Sequence, residues 1–124
     1  MSKINVFLDD VRPCPEHYVL ATDIDQCINL LRKFDVQHLS LDHDLESKVK
    51  NGFMLVEYMV KSQLFAETIT VHSANSGAGK RMYWYLLEAQ EQGLISQSVG
   101  IFYYPLPLHV FNLQCPIPLD LFNR

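Results

Sequence analysis

Three groups of polar side chains follow short apolar segments of this sequence, and acidic and histidine residues dominate them. Carboxylates held within a few ångströms of one another repel unless a cation or a proton compensates their charge. Magnesium prefers carboxylate oxygens, keeps some of its waters and commonly binds a substrate phosphate as well. If the groups meet in space, they predict a divalent metal and a phosphorylated ligand. The groups are Asp9, Asp10 and Arg12; Asp42, His43 and Asp44; and His72, Ser73 and Asn75.

The apolar segments alternate with helical patterns, which is typical of a parallel sheet covered by helices on both faces. The first helix has apolar residues at helical spacing and Thr22 as its predicted N-cap. Gly93 is the predicted C-cap of the last helix. Strands are predicted over 4–8, 18–21, 39–41, 69–71 and 99–103, and helices over 23–34, 53–62 and 80–92.

The connection between the first two strands departs from this alternation. Residues 10–18 include Pro13 and Pro15 and leave no room for a crossover helix, so the direction of the second strand stays open. The predicted fold class is therefore α/β, a three-layer sandwich with a mostly parallel sheet whose first crossover helix is missing.

The carboxyl ends of neighbouring parallel strands meet in one crevice, where open α/β sheets bind ligands. We expect His72 to be the more directly catalytic histidine, because it precedes the turn predicted to hold a phosphate. A structural ion pair with the adjacent acids is the alternative role for His43. The predicted metal ligands are Asp9, Asp10 and Asp42; the catalytic residues are His43, His72 and Asp44; and the substrate-binding residues are Arg12, Ser73, Asn75 and Lys80.

Residues 76–79 are predicted to form a glycine-containing turn before the last helix. The local sequence fails as a phosphate-binding P-loop, since Ala74 stands where the first glycine is needed and Arg81 where a serine or threonine is needed. Backbone N–H groups at a helix start, with Lys80 nearby, could still bind an anion. Trp84 and its neighbours Tyr83 and Tyr85 lie in the predicted last helix, and we expect them to serve packing in preference to base stacking.

The composition predicts one globular domain. The chain has 124 residues, a formal charge of −4 and 48% hydrophobic residues, which excludes disordered and collagen-like classes. No apolar run approaches the roughly 20 residues of a membrane helix, and the first apolar run is too short for a signal peptide. Three scattered cysteines suit reduced thiols. We therefore expect a cytoplasmic protein.

The C-terminal residues differ from the rest, because four prolines interrupt a stretch rich in Leu, Phe and Val. We expect residues 1–104 to form the α/β domain. Residues 105–124 are predicted to be a Pro-rich arm that packs on the domain or on a second subunit, so a homodimer is one expected arrangement.

Three motifs resemble the cyclic-phosphate processing receiver domains, a divergent branch of the response-regulator receiver fold. The motifs are Phe7-Leu8-Asp9-Asp10-x-Arg12-x-x-Pro15, Ser40-Leu41-Asp42-His43-Asp44-Leu45 and Val71-His72-Ser73-Ala74-Asn75, and the resemblance covers about residues 3 to 103. It implies a receiver-like, flavodoxin-like fold with Asp9 and Asp10 as the paired metal-binding acids. It also implies that Ser73 is the receiver hydroxyl and that Asp42 or Asp44 stands in place of the phosphoacceptor.

Two departures from ordinary receivers argue against a signalling role. Tyr104 stands where receivers have a lysine, and the first crossover helix is missing. The resemblance implies action on cyclic phosphates that arise in RNA or nucleotide processing.

The leading hypothesis is a phosphoesterase, a hydrolase assisted by Mg²⁺ or Mn²⁺ that acts on a cyclic phosphate of a nucleotide or an RNA end. The first alternative is a single-domain receiver phosphorylated on Asp42 or Asp44, and the second is a non-catalytic phosphate-binding module. The expected partner is a small phosphorylated ligand or a nucleic-acid end, with no membrane involved.

Overall fold

Strands and helices alternate along the chain after an initial pair of strands. The structure is a computed structural model that describes residues 3–45, 50–73 and 76–104, with the side chain of residue 76 excepted. The elements are β1 (Lys3–Leu8), β2 (Tyr18–Ala21), α1 (Ile24–Lys33), β3 (Asp35–Leu41), α2 (Gly52–Ser62), β4 (Thr68–Val71), α3 (Ser76–Glu91) and β5 (Gly100–Tyr103).

All five strands are parallel and lie in the order β2-β1-β3-β4-β5. This is the strand order of receiver-like, flavodoxin-like folds, so the predicted fold class is confirmed. The direction of β2, which the sequence left open, is parallel to β1. Because the chain moves outward from β1 to β2 and then returns to β3, the order reverses between β1 and β3, and ligands of such folds bind there.

Residues 9–17 connect β1 to β2 without a helix. The backbone N–H of Asp9 donates to the carbonyl of Ala21 (3.0 Å), and that of Tyr18 donates to Pro15 (3.3 Å). His17 takes a left-handed conformation with φ 65°. These bonds fold the connection tightly enough for two parallel strands to pair across a segment shorter than the usual crossover.

The hydrophobic core lies between one face of the sheet and the helices. Alternate strand residues point to this face, and helix α2 contacts both α1 and α3 there. We call the opposite face of the sheet the second face. The strand side chains in the core include Val6, Leu8, Leu39, Leu41, Ile69, Val71 and Ile101, and the helix side chains include Ile24, Cys27, Leu31, Leu55, Met59, Met82 and Leu86.

Three local predictions were wrong for identifiable reasons. The N-cap of α1 is Asp23, whose carboxylate accepts the N–H of Gln26 (2.8 Å), whereas Thr22 donates to the Gln26 side chain. Residues 76–79 form the first turn of α3 and no separate turn. Trp84 is 63% exposed and does not pack in the core.

The early start of α3 follows from close packing at Gly79. A Cβ there would lie 3.2 Å from the Cβ of Ser73 and 3.1 Å from the ring of Tyr103. The glycine therefore allows the helix to approach the sheet, and it does not mark a turn. At the other end of α3, Gly93 has φ +83° and follows the helix, as the predicted C-cap should.

No helix among the described residues is long and apolar enough to cross a membrane. The predicted C-terminal arm lies outside the described residues.

Candidate functional site

Acidic side chains from two adjacent strands meet where the strand order reverses. Asp9 and Asp10 directly follow β1, and Asp42 directly follows β3. One ligand atom from each of these three carboxylates lies within 4.8 Å of the others. The three residues predicted to bind a metal are thus brought together by the two central strands.

The carboxylate of Asp9 has the most contacts in this cluster. Oδ1 accepts the backbone N–H groups of Val11 (2.8 Å) and Arg12 (2.9 Å). Oδ2 accepts from Arg12 Nη1 (2.7 Å) and lies 3.0 Å from His72 Nε2. Burial alone would raise the pKa of Asp9, but the hydrogen bonds from His72 and Arg12 and from the backbone together hold that pKa well below its usual range. Asp9 is therefore a fixed negative charge.

The guanidinium of Arg12 lies between two of the carboxylates. Its Nη1 is 2.7 Å from Asp9 Oδ2 and 3.4 Å from Asp42 Oδ2, and the side chain is 1% exposed. Sequence reasoning assigned Arg12 to the substrate phosphate. In the structure it contacts both Asp9 and Asp42, so it offsets part of the carboxylate repulsion and joins the ends of β1 and β3. Its role toward a substrate phosphate stays a prediction.

Asp42 lies in a different electrostatic environment from Asp9. Burial and the nearby charge of Asp9 raise the pKa of Asp42 to about 6, against the opposing effects of Arg12 and of the backbone N–H donors. One such donor is the N–H of His43, 2.8 Å from Asp42 Oδ1. Because the two carboxylates repel each other and Asp9 has more hydrogen-bond donors, the pKa of Asp9 falls while that of Asp42 rises.

His72 is buried on the second face and has a partner at each ring nitrogen. Its ring stacks on Phe7 at 4.5 Å between centroids, and Nδ1 lies 2.5 Å from the hydroxyl of Ser40. Because ionised Asp9 can only accept, Nε2 carries the proton and Nδ1 accepts from Ser40. Burial lowers the pKa of His72, although Asp9 opposes this. The ring is fully buried, and the expectation that His72 is the more directly catalytic histidine stays a prediction.

His43 has the contacts expected of a proton-transfer residue. Its Nδ1 is 2.6 Å from Asp44 Oδ1, and the two side chains are 17% and 59% exposed. Among the described residues, no hydrogen bond engages His43 Nε2. Asp44 therefore fixes the ring orientation and leaves Nε2 without a hydrogen bond among the described residues, which is the arrangement of an oriented general base.

Two residues that sequence reasoning did not single out hold these groups in place. Ser40 bonds His72, and its position in the motif before Asp42 was the available signal. Gly52 begins α2, and its N–H donates to the carbonyl of His43 (3.0 Å). A Cβ on Gly52 would lie 2.2 Å from the carbonyl oxygen of Asp42, so only glycine lets the helix approach the loop that carries Asp42 and His43.

The predicted substrate-binding residues of the third group lie around the start of α3. Ser73 is fully buried against Gly79, and Lys80 is exposed on the helix. Asn75 lies outside the described residues. The roles assigned to Ser73, Asn75 and Lys80 stay predictions.

The donor chemistry of the acidic cluster suits a hard cation. All three candidate ligands offer oxygen, which Mg²⁺ and Mn²⁺ prefer over nitrogen or sulfur. With one guanidinium for three carboxylates, negative charge remains to be compensated when all three are ionised. Metal binding by Asp9, Asp10 and Asp42 stays a prediction.

The opposite pKa displacements predict opposite pH-dependent stabilities for two variants in the presence of a chelator. Folding raises the pKa of Asp42 from 3.8 to about 6, so the free energy of unfolding falls as the pH rises from 4 to 6. The loss amounts to about 3 kcal/mol at pH 7. Asp42→Asn should therefore gain stability over the wild type across this interval. Asp9 stabilises the fold above its unfolded pKa, so Asp9→Asn should be less stable than wild type at pH 7 and approach it below pH 4. Urea unfolding from pH 2 to 7.5 measures both; a stability difference from the wild type that does not change with pH in either variant would contradict the assignment.

Comparison with known proteins agrees with this geometry. The family model for the cyclic-phosphate processing receiver domain matches residues 4–88, which include all of β1 except Lys3, the whole of β2 to β4, most of α3 and every residue of the site. The sequence matches none of the curated proteins with which it was compared. Since the family match covers more than half of the chain and includes the Asp9, Asp42 and His72 motifs, this protein belongs to the cyclic-phosphate processing receiver domain family.

Proposed function

We propose that this protein is a metal-assisted phosphoesterase that opens a cyclic phosphate on a nucleotide or an RNA end. One observation carries the proposal: an Asp44–His43 pair whose imidazole is 17% exposed directly follows Asp42, a member of the cluster of three carboxylates. Opening a cyclic phosphodiester needs an activated water, a proton donor for the leaving alkoxide and compensation of the charge on the phosphoryl group. The site offers residues for each need.

The acidic cluster would hold Mg²⁺ or Mn²⁺ through Asp9, Asp10 and Asp42. When bound, such a metal supplies positive charge against the phosphoryl oxygens and makes a bound water more acidic. Arg12 holds Asp9 and Asp42 at a fixed separation and adds positive charge below the site. His72 and Ser40 fix the orientation of the Asp9 carboxylate, as histidine and hydroxyl groups commonly do behind metal ligands.

His43 would exchange protons with the reacting water or the leaving alkoxide through Nε2. Asp44 accepts the hydrogen bond from Nδ1–H, so that Nε2 of the neutral ring is unprotonated and can accept a proton. Ser73, Asn75 and Lys80 would bind the phosphate at the start of α3, where backbone N–H groups face an anion.

The single-domain receiver is the second candidate function. Phosphorylation would require Asp42 or Asp44 to attack a phosphoryl donor. Asp42 is 3% exposed and 3.4 Å from the Arg12 guanidinium, and Asp44 is engaged by His43. In addition, Tyr104 stands at the end of β5, where receivers have a lysine. These features favour the esterase over the receiver.

Product stoichiometry separates the three functions. The full chain is incubated with a 2′,3′-cyclic nucleotide and Mg²⁺, and in parallel with acetyl phosphate and Mg²⁺. We expect many product molecules per chain from the cyclic nucleotide and no stable phosphoryl-protein. One phosphoryl group per chain without turnover would identify a receiver. Binding of the nucleotide with neither result would identify a binding module.

The two histidines form a matched pair of variants for the mechanism. His43→Gln should lower kcat about 10²- to 10⁴-fold and remove one limb of the pH profile, because it deletes a proton-transfer group. His72→Gln should keep both limbs and instead raise the metal concentration needed for half-maximal activity, because it loosens Asp9. Steady-state rates from pH 5 to 9 at several Mg²⁺ concentrations measure both effects. If only His72→Gln lost a limb of the pH profile, His72 would be the proton-transfer residue and His43 the supporting one.

A further inference from the structure

The second face of the sheet has no covering helix among residues 3–45, 50–73 and 76–104. The crossovers from β2 to β3, β4 and β5 all advance in one direction, so right-handed connections place α1, α2 and α3 on the same face. The connection from β1 to β2 runs in the opposite direction along the sheet. A right-handed crossover helix in that connection would therefore lie on the second face. Residues 9–17 take the place of that helix. Parallel sheets occur almost only with both faces covered.

The side chains of the second face require a cover of mixed polarity. Phe7, Ser40, Thr70 and Phe102 are neighbours in register across β1, β3, β4 and β5. Phe7 and Thr70 are each only 2% exposed. His38 Nδ1 and Thr70 Oγ1 are shielded from solvent, and the described part of the chain gives neither atom a hydrogen-bond partner. Buried polar atoms of this kind normally have a partner, which points to a polar group on the covering segment.

Only one part of the chain outside the described ranges is long enough to supply this cover. Segments 1–2, 46–49 and 74–75 are too short to cross a sheet. Residues 105–124 follow Tyr104, whose N–H donates to the carbonyl of Val71 (2.6 Å) at the end of β5. Twenty extended residues reach about 66 Å, whereas five strands spaced by about 4.8 Å span about 19 Å.

The composition of residues 105–124 matches the face. Ten of these residues are apolar, and only Asp120 and Arg124 are charged. Four prolines oppose a helix and favour an extended path. His109 and Gln114 are among the side chains that could meet the unpartnered polar atoms.

We propose that residues 105–124, the C-terminal arm, cover the second face of the sheet in their own chain in place of the missing crossover helix. The arm then lies over Phe7 and Ser40, the two residues that contact the His72 ring behind Asp9. This role is independent of the proposed phosphoesterase activity, since a receiver or a binding module would need the same cover.

Paramagnetic broadening in the full chain tests the proposal. Cys115 lies in the arm and takes a nitroxide label once Cys14 is replaced by Ser, while Cys27 is buried and protected. In isotope-labelled protein, we expect the nitroxide to broaden the amide signals of strand residues such as Leu20, Ser40 and Phe102. The amides on the outer surfaces of the helices should stay sharp, and a reduced, diamagnetic label gives the reference.

Two controls make the outcome decisive. A mixture of isotope-labelled protein without nitroxide and unlabelled protein with nitroxide should show no broadening; broadening there would mean that the arm covers a second copy, which overturns the proposal. A second label position, His109→Cys in a Cys115→Ser, Cys14→Ser background, covers the case in which a label at residue 115 displaces the arm. Sharp strand signals with both labels would equally overturn the proposal.

Discussion

The buried carboxylate of Asp9 is the interaction on which the rest of the site depends. It accepts two backbone N–H groups, a guanidinium N–H and an imidazole N–H. An ionised carboxylate without these donors would be strongly disfavoured at 1% exposure. The same four bonds shape the loop after β1, hold Arg12 under the cluster and orient His72. Asp9 therefore links the fold of residues 9–17 to the electrostatics of Asp42.

The missing crossover helix is the second constraint, and its consequences reach both faces of the sheet. A loop in place of a helix lets Arg12 turn back onto Asp9 only three residues away. It also leaves the second face without a helix among the described residues, although Phe7, Ser40 and His72 there support the site from behind. This protein thus has the strand order of a signalling receiver, but a loop replaces the first crossover helix beside Asp9, Asp10 and Asp42.

The sequence predicted the strands, the receiver-like fold class and the cluster of Asp9, Asp10 and Asp42, because apolar runs that end in acidic residues mark the ends of strands. It favoured His72 over His43 as the more directly catalytic histidine, and that assignment stays a prediction. Their roles depend on which face each ring occupies and on Ser40, a partner 32 residues distant in the chain from His72. The sequence also could not show that two carboxylates contact the Arg12 guanidinium, since residue spacing does not report on contacts between the ends of two strands. Gly79 was taken for a turn because a glycine needed for close packing and a glycine needed for a turn look alike in sequence.

A Mn²⁺ titration tests most directly the proposal that Asp9, Asp10 and Asp42 bind a divalent metal. Calorimetry on the full chain, with the Asp10→Asn variant as the matched control, reports affinity and stoichiometry. We expect one Mn²⁺ to bind per chain, to be displaced by Mg²⁺ and to bind at least about tenfold more weakly to Asp10→Asn, while the unfolding temperature of that variant in chelator is unchanged or higher. An absence of Mn²⁺ binding, or equal binding by Asp10→Asn, would contradict it.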